Sequence, residues 1–227
     1  MKLYGAIASP YVARVTMFAD LKGMDLSLEP APGGMGSDEF RAINPTGKIP
    51  ALVTDRGECI AESTVICDYL EALQSQPSMI PADPVLQAQS RMIARMTDLY
   101  IAPHNTPLNR MGPERDQALI DQQAALFAQG FHYIESFMGP GPFAAGDTPS
   151  LGDCALAPFV GMLKQNIFAK FEEVVDPTLG DGRIAEWWQA LLAHPGCRKN
   201  IDEYEKGLEE FLKWLSEMLA KRAEAGG

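Results

Sequence analysis

Three short stretches of this chain carry residue types that can do chemistry: Ser9-Pro10-Tyr11, the run Asn44-Pro45-Thr46-Gly47-Lys48-Ile49-Pro50, and Glu62-Ser63. Ser9 precedes a proline, which suits the first position of a helix. A hydroxyl there can cap the helix, worth about 1 kcal/mol. It can also donate to an anion drawn to the helix N-terminus. Glu62-Ser63 opens an apolar helical run, so Ser63 can offer its hydroxyl and N–H to a carboxylate while Glu62 pairs with an ammonium. On their own the two also read as an N-cap preceded by a solvated acid. Pro50 stands directly before the strand-like Ala51-Leu52-Val53. Such a proline ordinarily opens an edge strand in trans, since only about 5–6% of X–Pro bonds in folded proteins are cis.

The elements that must position these residues divide the chain in two. Residues 2–5 read as a strand, and Pro10 to Lys22 as a helix stopped by Gly23. Leu26 and Leu28 alternate as a second strand, a glycine-rich loop covers 31–37, and Asp38 to Ile43 reads as a short helix. Ala51 to Thr54 and Glu58 to Ile60 form a hairpin about Arg56-Gly57, followed by a helix from Ser63 to Leu73. Three prolines in residues 74–84 stop any helix. Beyond them strand signals nearly vanish. Helices are expected over 85–101, 114–138, 182–193 and 203–223, with the tail from Lys221 frayed. Ser150 and Asp153 have capping-box spacing before a further apolar run. The expected domains are 1–76, α/β, and 85–227, all-helical, joined by a linker over 77–84.

Composition narrows the function. The formal net charge of −11 argues against nucleic acid and against anionic membranes. The four cysteines have no CxxC pair and no metal-ligand spacing with histidine, so no metal site is expected. Cys59 and Cys67 read as core thiols, which fits a reducing compartment. The N-terminus lacks the long apolar core of a signal peptide, and no stretch approaches 18 apolar residues. A cytoplasmic location is the expectation.

The order strand, Ser-Pro, helix, Gly-Lys-Ile-Pro, strand, Glu-Ser, helix resembles the thioredoxin-like domain of the cytosolic glutathione transferases. The likeness runs to about residue 205. In the second half it rests on Phe143-Ala144-Ala145-Gly146-Asp147-Thr148-Pro149-Ser150-Leu151-Gly152-Asp153, similar to the family's capping-box stretch, with Gly152 where alanine is usual. Ser9-Pro10-Tyr11-Val12-Ala13-Arg14-Val15 looks like the serine-containing active-site motif of the zeta- and tau-like groups.

That resemblance implies a thioredoxin-like α/β domain plus an all-α bundle, glutathione as co-substrate, a homodimer, and a small electrophile as second substrate. It makes Ser9 the donor to the glutathione sulfur, which as a thiol of pKa roughly 8.5 is only a few per cent ionised at neutral pH. It makes Pro50 cis, so that the Ile49 backbone pairs with the cysteinyl unit. Glu62 and Ser63 would hold the γ-glutamyl end, and Lys48 the glycyl carboxylate, without help from a basic residue in the loop around Met35. The electrophile pocket would draw on Tyr11, Met96, Tyr100 and His104, with Asn105 and Met111 as further candidates. Arg14 could orient the active-site loop or be a surface cation; His104 is also readable as a satisfied structural histidine. The implied reaction is thiolate attack on carbon, in conjugation, dehalogenation or isomerisation of the maleylacetoacetate type. Thiol exchange, ether cleavage and a non-catalytic glutathione-binding role are the alternatives. Serine rather than cysteine at position 9 speaks against mixed-disulfide chemistry.

Overall fold

The computed structural model describes residues 1–111 and 114–225. Its first half is a four-stranded sheet of β1 (Lys2–Tyr4), β2 (Ser27–Glu29), β3 (Ala51–Val53) and β4 (Cys59–Ala61), in the spatial order β2-β1-β3-β4. β1 runs parallel to β2, and α1 (Pro10–Leu21) makes the crossover that a parallel pair requires. β3 is antiparallel to both β1 and β4. α2 (Asp38–Ile43) precedes β3, and α3 (Ser63–Leu73) follows β4 and packs on α1. Leu3, Leu52, Val12, Val15, Ile66 and Leu70 are fully buried where sheet and helices meet. This is a thioredoxin-like arrangement.

Every element expected here forms, within a residue or two of its expected bounds. One side chain departs from expectation. Cys59 is exposed rather than in the core, because β4 is the edge strand and residue 59 lies at its outer end.

The segment between the halves is pinned. Lys22, 1% exposed, donates to the Glu71 carboxylate at 2.7 Å and to the Pro77 carbonyl at 2.7 Å. Glu71 also accepts from Ser78 Oγ and the Met79 N–H.

The second half is all helical: α4 (Pro84–Met96), α5 (Ala102–Asn109), α6 (Gln117–Phe137), α7 (Leu151–Leu163), α8 (Arg183–Ala193) and α9 (Pro195–Ala225). The stretch expected as one helix over 85–101 ends in a π-helical turn at Thr97–Ile101. α9 starts eight residues before its expected start, and the tail expected to fray continues it to Ala225; residues 226 and 227 lie outside the described residues. Every residue of α7 is buried, which fits a helix apolar all round. α1, α4 and α9 pack on it, so one core spans both halves.

The capping box at Ser150 forms. Asp153 takes bonds from the Ser150 N–H (2.8 Å), the Ala144 N–H (2.8 Å) and Trp187 Nε1 (2.8 Å), all buried. Gly152 has a packing reason. A Cβ there would stand 2.9 Å from the Ser90 carbonyl oxygen, while the Gly152 N–H bonds Ser90 Oγ at 3.0 Å. α4 and α7 approach too closely for the alanine usual at this position.

Candidate functional site

Ser9 is the N-cap of α1, with extended backbone (φ −83°, ψ 123°) and Pro10 as first helical residue. Its side chain makes no capping bond. The hydroxyl is therefore not spent on the helix, although the helix positions it. The helix-start signal in the sequence located this residue correctly, but capping was the wrong use for its hydroxyl.

Two loops meet in a cleft that Tyr11, two residues beyond Ser9, also lines. The Ile49–Pro50 bond is cis. Asn44 shapes the approach: its Nδ2 donates to the Lys48 carbonyl at 2.8 Å, and its Oδ1 accepts from the Thr46 N–H at 3.2 Å. Neither the amide nor the carbonyl of Ile49 has a hydrogen-bond partner among the described residues. Glu62, before α3, is the one non-glycine described residue with positive φ (65°). That backbone costs on the order of 1–3 kcal/mol and clusters at functional sites. It sets the exposed Glu62 carboxylate beside the N-terminus of α3, where the Ser63 and Thr64 N–H groups lack intrahelical partners.

Lys48, Ile49, Pro50, Glu62 and Ser63 line one cleft of about 480 Å³, with Tyr11, Thr64, Val65, Arg91, Arg95 and Asp98. A second groove, of about 340 Å³, adjoins it. Pro10, Tyr11, Asp98, Ala102, Asn105, Phe159 and Met162 are among its walls. Tyr11 and Asp98 belong to both. The Tyr11 ring meets Phe159 edge-on at 5.1 Å between centroids. Its phenol is pushed up, first by burial and then by the Asp98 carboxylate, so it stays protonated as a donor. Ser9 is not itself a wall of either space; Pro10, next in the chain, is.

Three residues expected in the electrophile pocket lie elsewhere. Met96 packs against the core, Tyr100 meets Tyr133 of α6 edge-on at 5.4 Å, and His104 Nδ1 sits 3.1 Å from Gln123 Oε1 of α6. Met111 also packs on the core. Of the expected residues, Tyr11 and Asn105 do line the groove, joined there by Asp98, Ala102 and Thr106. Asp98, Ala102 and Thr106 stand two positions beyond Met96, Tyr100 and His104, and two helical residues carry a side chain to roughly the opposite side. Residue type had selected the face turned to α6.

Sequence reasoning left Arg14 open between orienting the active-site loop and lying on the surface, and missed three other arginines. Arg14 is no surface cation: it is 0% exposed. It grips Asp98 with both Nη atoms (3.1 and 2.6 Å) and donates to Ser63 Oγ and Thr64 Oγ1 at 3.0 Å each. Arg14 thus joins α1, the start of α3 and the π-helical turn of the second half. Such bidentate, charge-assisted contacts are the strong kind. Arg91 and Arg95 reach the cleft from α4. Arg91 forms a two-pronged pair with Asp68, and Arg95 has no ion-pair partner among the described residues. Arg41 stands behind the loop at 33–37, its Nε 3.1 Å from the Gly36 carbonyl. The one available signal was the positions of Arg91 and Arg95, which share a face at i, i+4. Among the described residues no group could hold a metal ion, and no helix is long and apolar enough to cross a membrane.

A thioredoxin-like domain whose cis-proline loop and α3 N-terminus share a cleft, backed by an all-helical domain, defines the class: a two-domain thioredoxin-fold transferase. Residues 3–78 match the family model for the glutathione S-transferase N-terminal domain, and residues 117–193 that for its C-terminal domain. A maleylacetoacetate isomerase of Pseudomonas aeruginosa is 32% identical over 70% of this chain and 79% of its own. The probable glutathione S-transferase BZ2 of Zea mays is 30% identical over 95% of each chain. The solved structure of a tau-class glutathione S-transferase from mango superposes with a TM-score of 0.76, at 28% identity over 94% of this chain and 97% of that one. The chain belongs to the glutathione S-transferase family.

Proposed function

We propose that this enzyme is a glutathione transferase of the serine type, acting on a small electrophile. The observation that carries the reading is the single cleft shared by Lys48, Ile49, Pro50, Glu62 and Ser63. Glutathione presents a zwitterionic head, a peptide middle and a terminal carboxylate, and the cleft offers a partner for each. Glu62 pairs with the ammonium, and the α3 N-terminus with the α-carboxylate. The unpartnered backbone of Ile49 takes the cysteinyl unit. Lys48 takes the glycyl carboxylate.

The sulfur then lies toward the α1 N-terminus. The Ser9 hydroxyl donates to it, and a bond to the charged form favours thiolate over thiol. The thiolate attacks an electrophilic carbon in the adjoining groove. A sulfur–carbon bond forms, and either a leaving group departs with its electron pair or the adduct reverts after rotation about the former double bond. Tyr11 supports a second reading of the donor, because its phenol faces both spaces.

Two further properties come with the family: the enzyme works as a homodimer, and in the cytoplasm. Exposed apolar residues on α3 and α4 (Val65, Leu73 and Val85) offer surface for the pair.

The decisive experiment is calorimetry with glutathione on the wild type and Glu62→Ala. Wild-type binding, weakened roughly 10- to 100-fold in the variant, is expected for the loss of one charged hydrogen bond. Equal affinity in the two proteins would place the γ-glutamyl group elsewhere.

A further inference from the structure

We propose that the groove beside Tyr11 takes an uncharged, flat electrophile bearing an acceptor oxygen, nitro or carbonyl, that Asn105 recognises, and that it turns away dicarboxylates. The proposal rests on reading the larger cleft as the glutathione site. It separates two activities that share the same attack on carbon.

The groove's apolar walls include the Tyr11 and Phe159 rings, set edge to face at 82°, and the Met162 thioether. Flat apolar groups pack well against such a wall. One polar side chain there is underused. Asn105 Oδ1 accepts from Asn109 Nδ2 at 2.6 Å, but Asn105 Nδ2 has only the Met162 sulfur, at 3.6 Å. A thioether is a weak acceptor, so an oxygen on the electrophile replaces it at a gain.

Charge gives the second half of the argument. Asp98 is the acidic residue lining the groove. Its two oxygens are already held by Arg14, which is wholly buried and does not reach the groove. A dianion entering this space loses hydration and meets no compensating cation. The available cations, Lys48, Arg91 and Arg95, line the other cleft, where glutathione brings two carboxylates of its own. Arg91 is further committed to Asp68.

With 1-chloro-2,4-dinitrobenzene as probe, the glutathione sulfur bonds to the ring carbon, chloride leaves with the bonding pair, and the thiol proton passes to solvent. The experiment compares kcat/KM for this reaction with kcat/KM for isomerisation of maleylacetoacetate, a dicarboxylate, in the full-length wild type. Asn105→Leu and Asn105→Asp are run beside it, the second keeping the acceptor for Asn109. Conjugation is expected to exceed isomerisation at least tenfold. Both variants are expected to raise KM for the aryl chloride about five- to tenfold, the loss of one neutral hydrogen bond. Glutathione affinity and Tm should hold in Asn105→Asp. Faster isomerisation, or an unmoved KM in both variants, overturns the proposal while the glutathione site stands. Failure of the wild type to bind glutathione by calorimetry overturns the site and the proposal together.

Discussion

Ser9 and Tyr11 stand two residues apart at the start of one helix, and each is a candidate hydroxyl donor for the proposed chemistry. They differ in surroundings. Ser9 is an N-cap with an unspent hydroxyl. Tyr11 is held against Phe159, with a phenol pushed up by burial. If Ser9 is the donor, Ser9→Ala lowers kcat by a factor of roughly 100–1,000, the range for removing one donor to a developing anion, and leaves glutathione affinity nearly intact. Tyr11→Phe then mainly shifts KM for the electrophile. Steady-state kinetics on both variants decides, since the reverse pattern assigns the donor to Tyr11. At this scale the sequence disclosed residues whose role is set by their own neighbours in the chain. Ser9, Pro50, Glu62 and Ser63 sit at element boundaries that capping and proline rules locate. Arg14 and Asp98 were not legible, because their partnership spans 84 positions and exists only once the halves are packed. Cys59 misled because apolar neighbours on an edge strand do not imply burial.

The start of α7 shows what an element demands of its terminus. Asp153 is fully buried, and its four donors (two from Ser150, one each from Ala144 and Trp187) tie the turn, the helix and α8 together. Burial nonetheless pushes its carboxyl upward against those bonds. A carboxyl raised in the folded state contributes stability that is full below its unfolded value and is lost as pH rises through its folded value. Asp153→Asn removes the charge but turns an amide N–H toward donors. We expect it to destabilise the protein by about 1–3 kcal/mol at neutral pH. The gap from wild type should widen as pH falls from 7 to about 4, the unfolded carboxyl value, because only the wild type gains by protonation. Melting curves at the two pH values check the sign, and a narrowing gap would contradict it. The box itself was legible from its four-residue spacing. The π-helical turn at 97–101 was not, since nothing in Thr-Asp-Leu-Tyr-Ile distinguishes it from ordinary helix. Nor was the early start of α9, which Pro195 opens as first helical residue.

As a whole molecule the chain follows its sequence pattern closely: βαβ, ββα, a proline-rich crossing, then helices. What periodicity could not convey is how firmly the crossing is fastened. Lys22, Glu71 and the backbone of 77–79 form one buried cluster, so the connector behaves as part of the core. The pairing of two such molecules is open to direct measurement: sedimentation equilibrium should return twice the chain mass at micromolar concentration. A monomer there would mean that Val65, Leu73 and Val85 face water in the working enzyme.

The grip of Arg14 on Asp98 has one more consequence. The arginine that steadies Ser63 and Thr64 is itself anchored in the opposite half, so recognition in the first domain borrows its rigidity from the second. Severed at the crossing, residues 1–76 would keep every group named for the tripeptide and the Arg14 bonds to Ser63 and Thr64, yet lose the carboxylate that fixes the guanidinium in place. The smaller domain is thus no detachable module: its power to read glutathione is a property of the joined molecule.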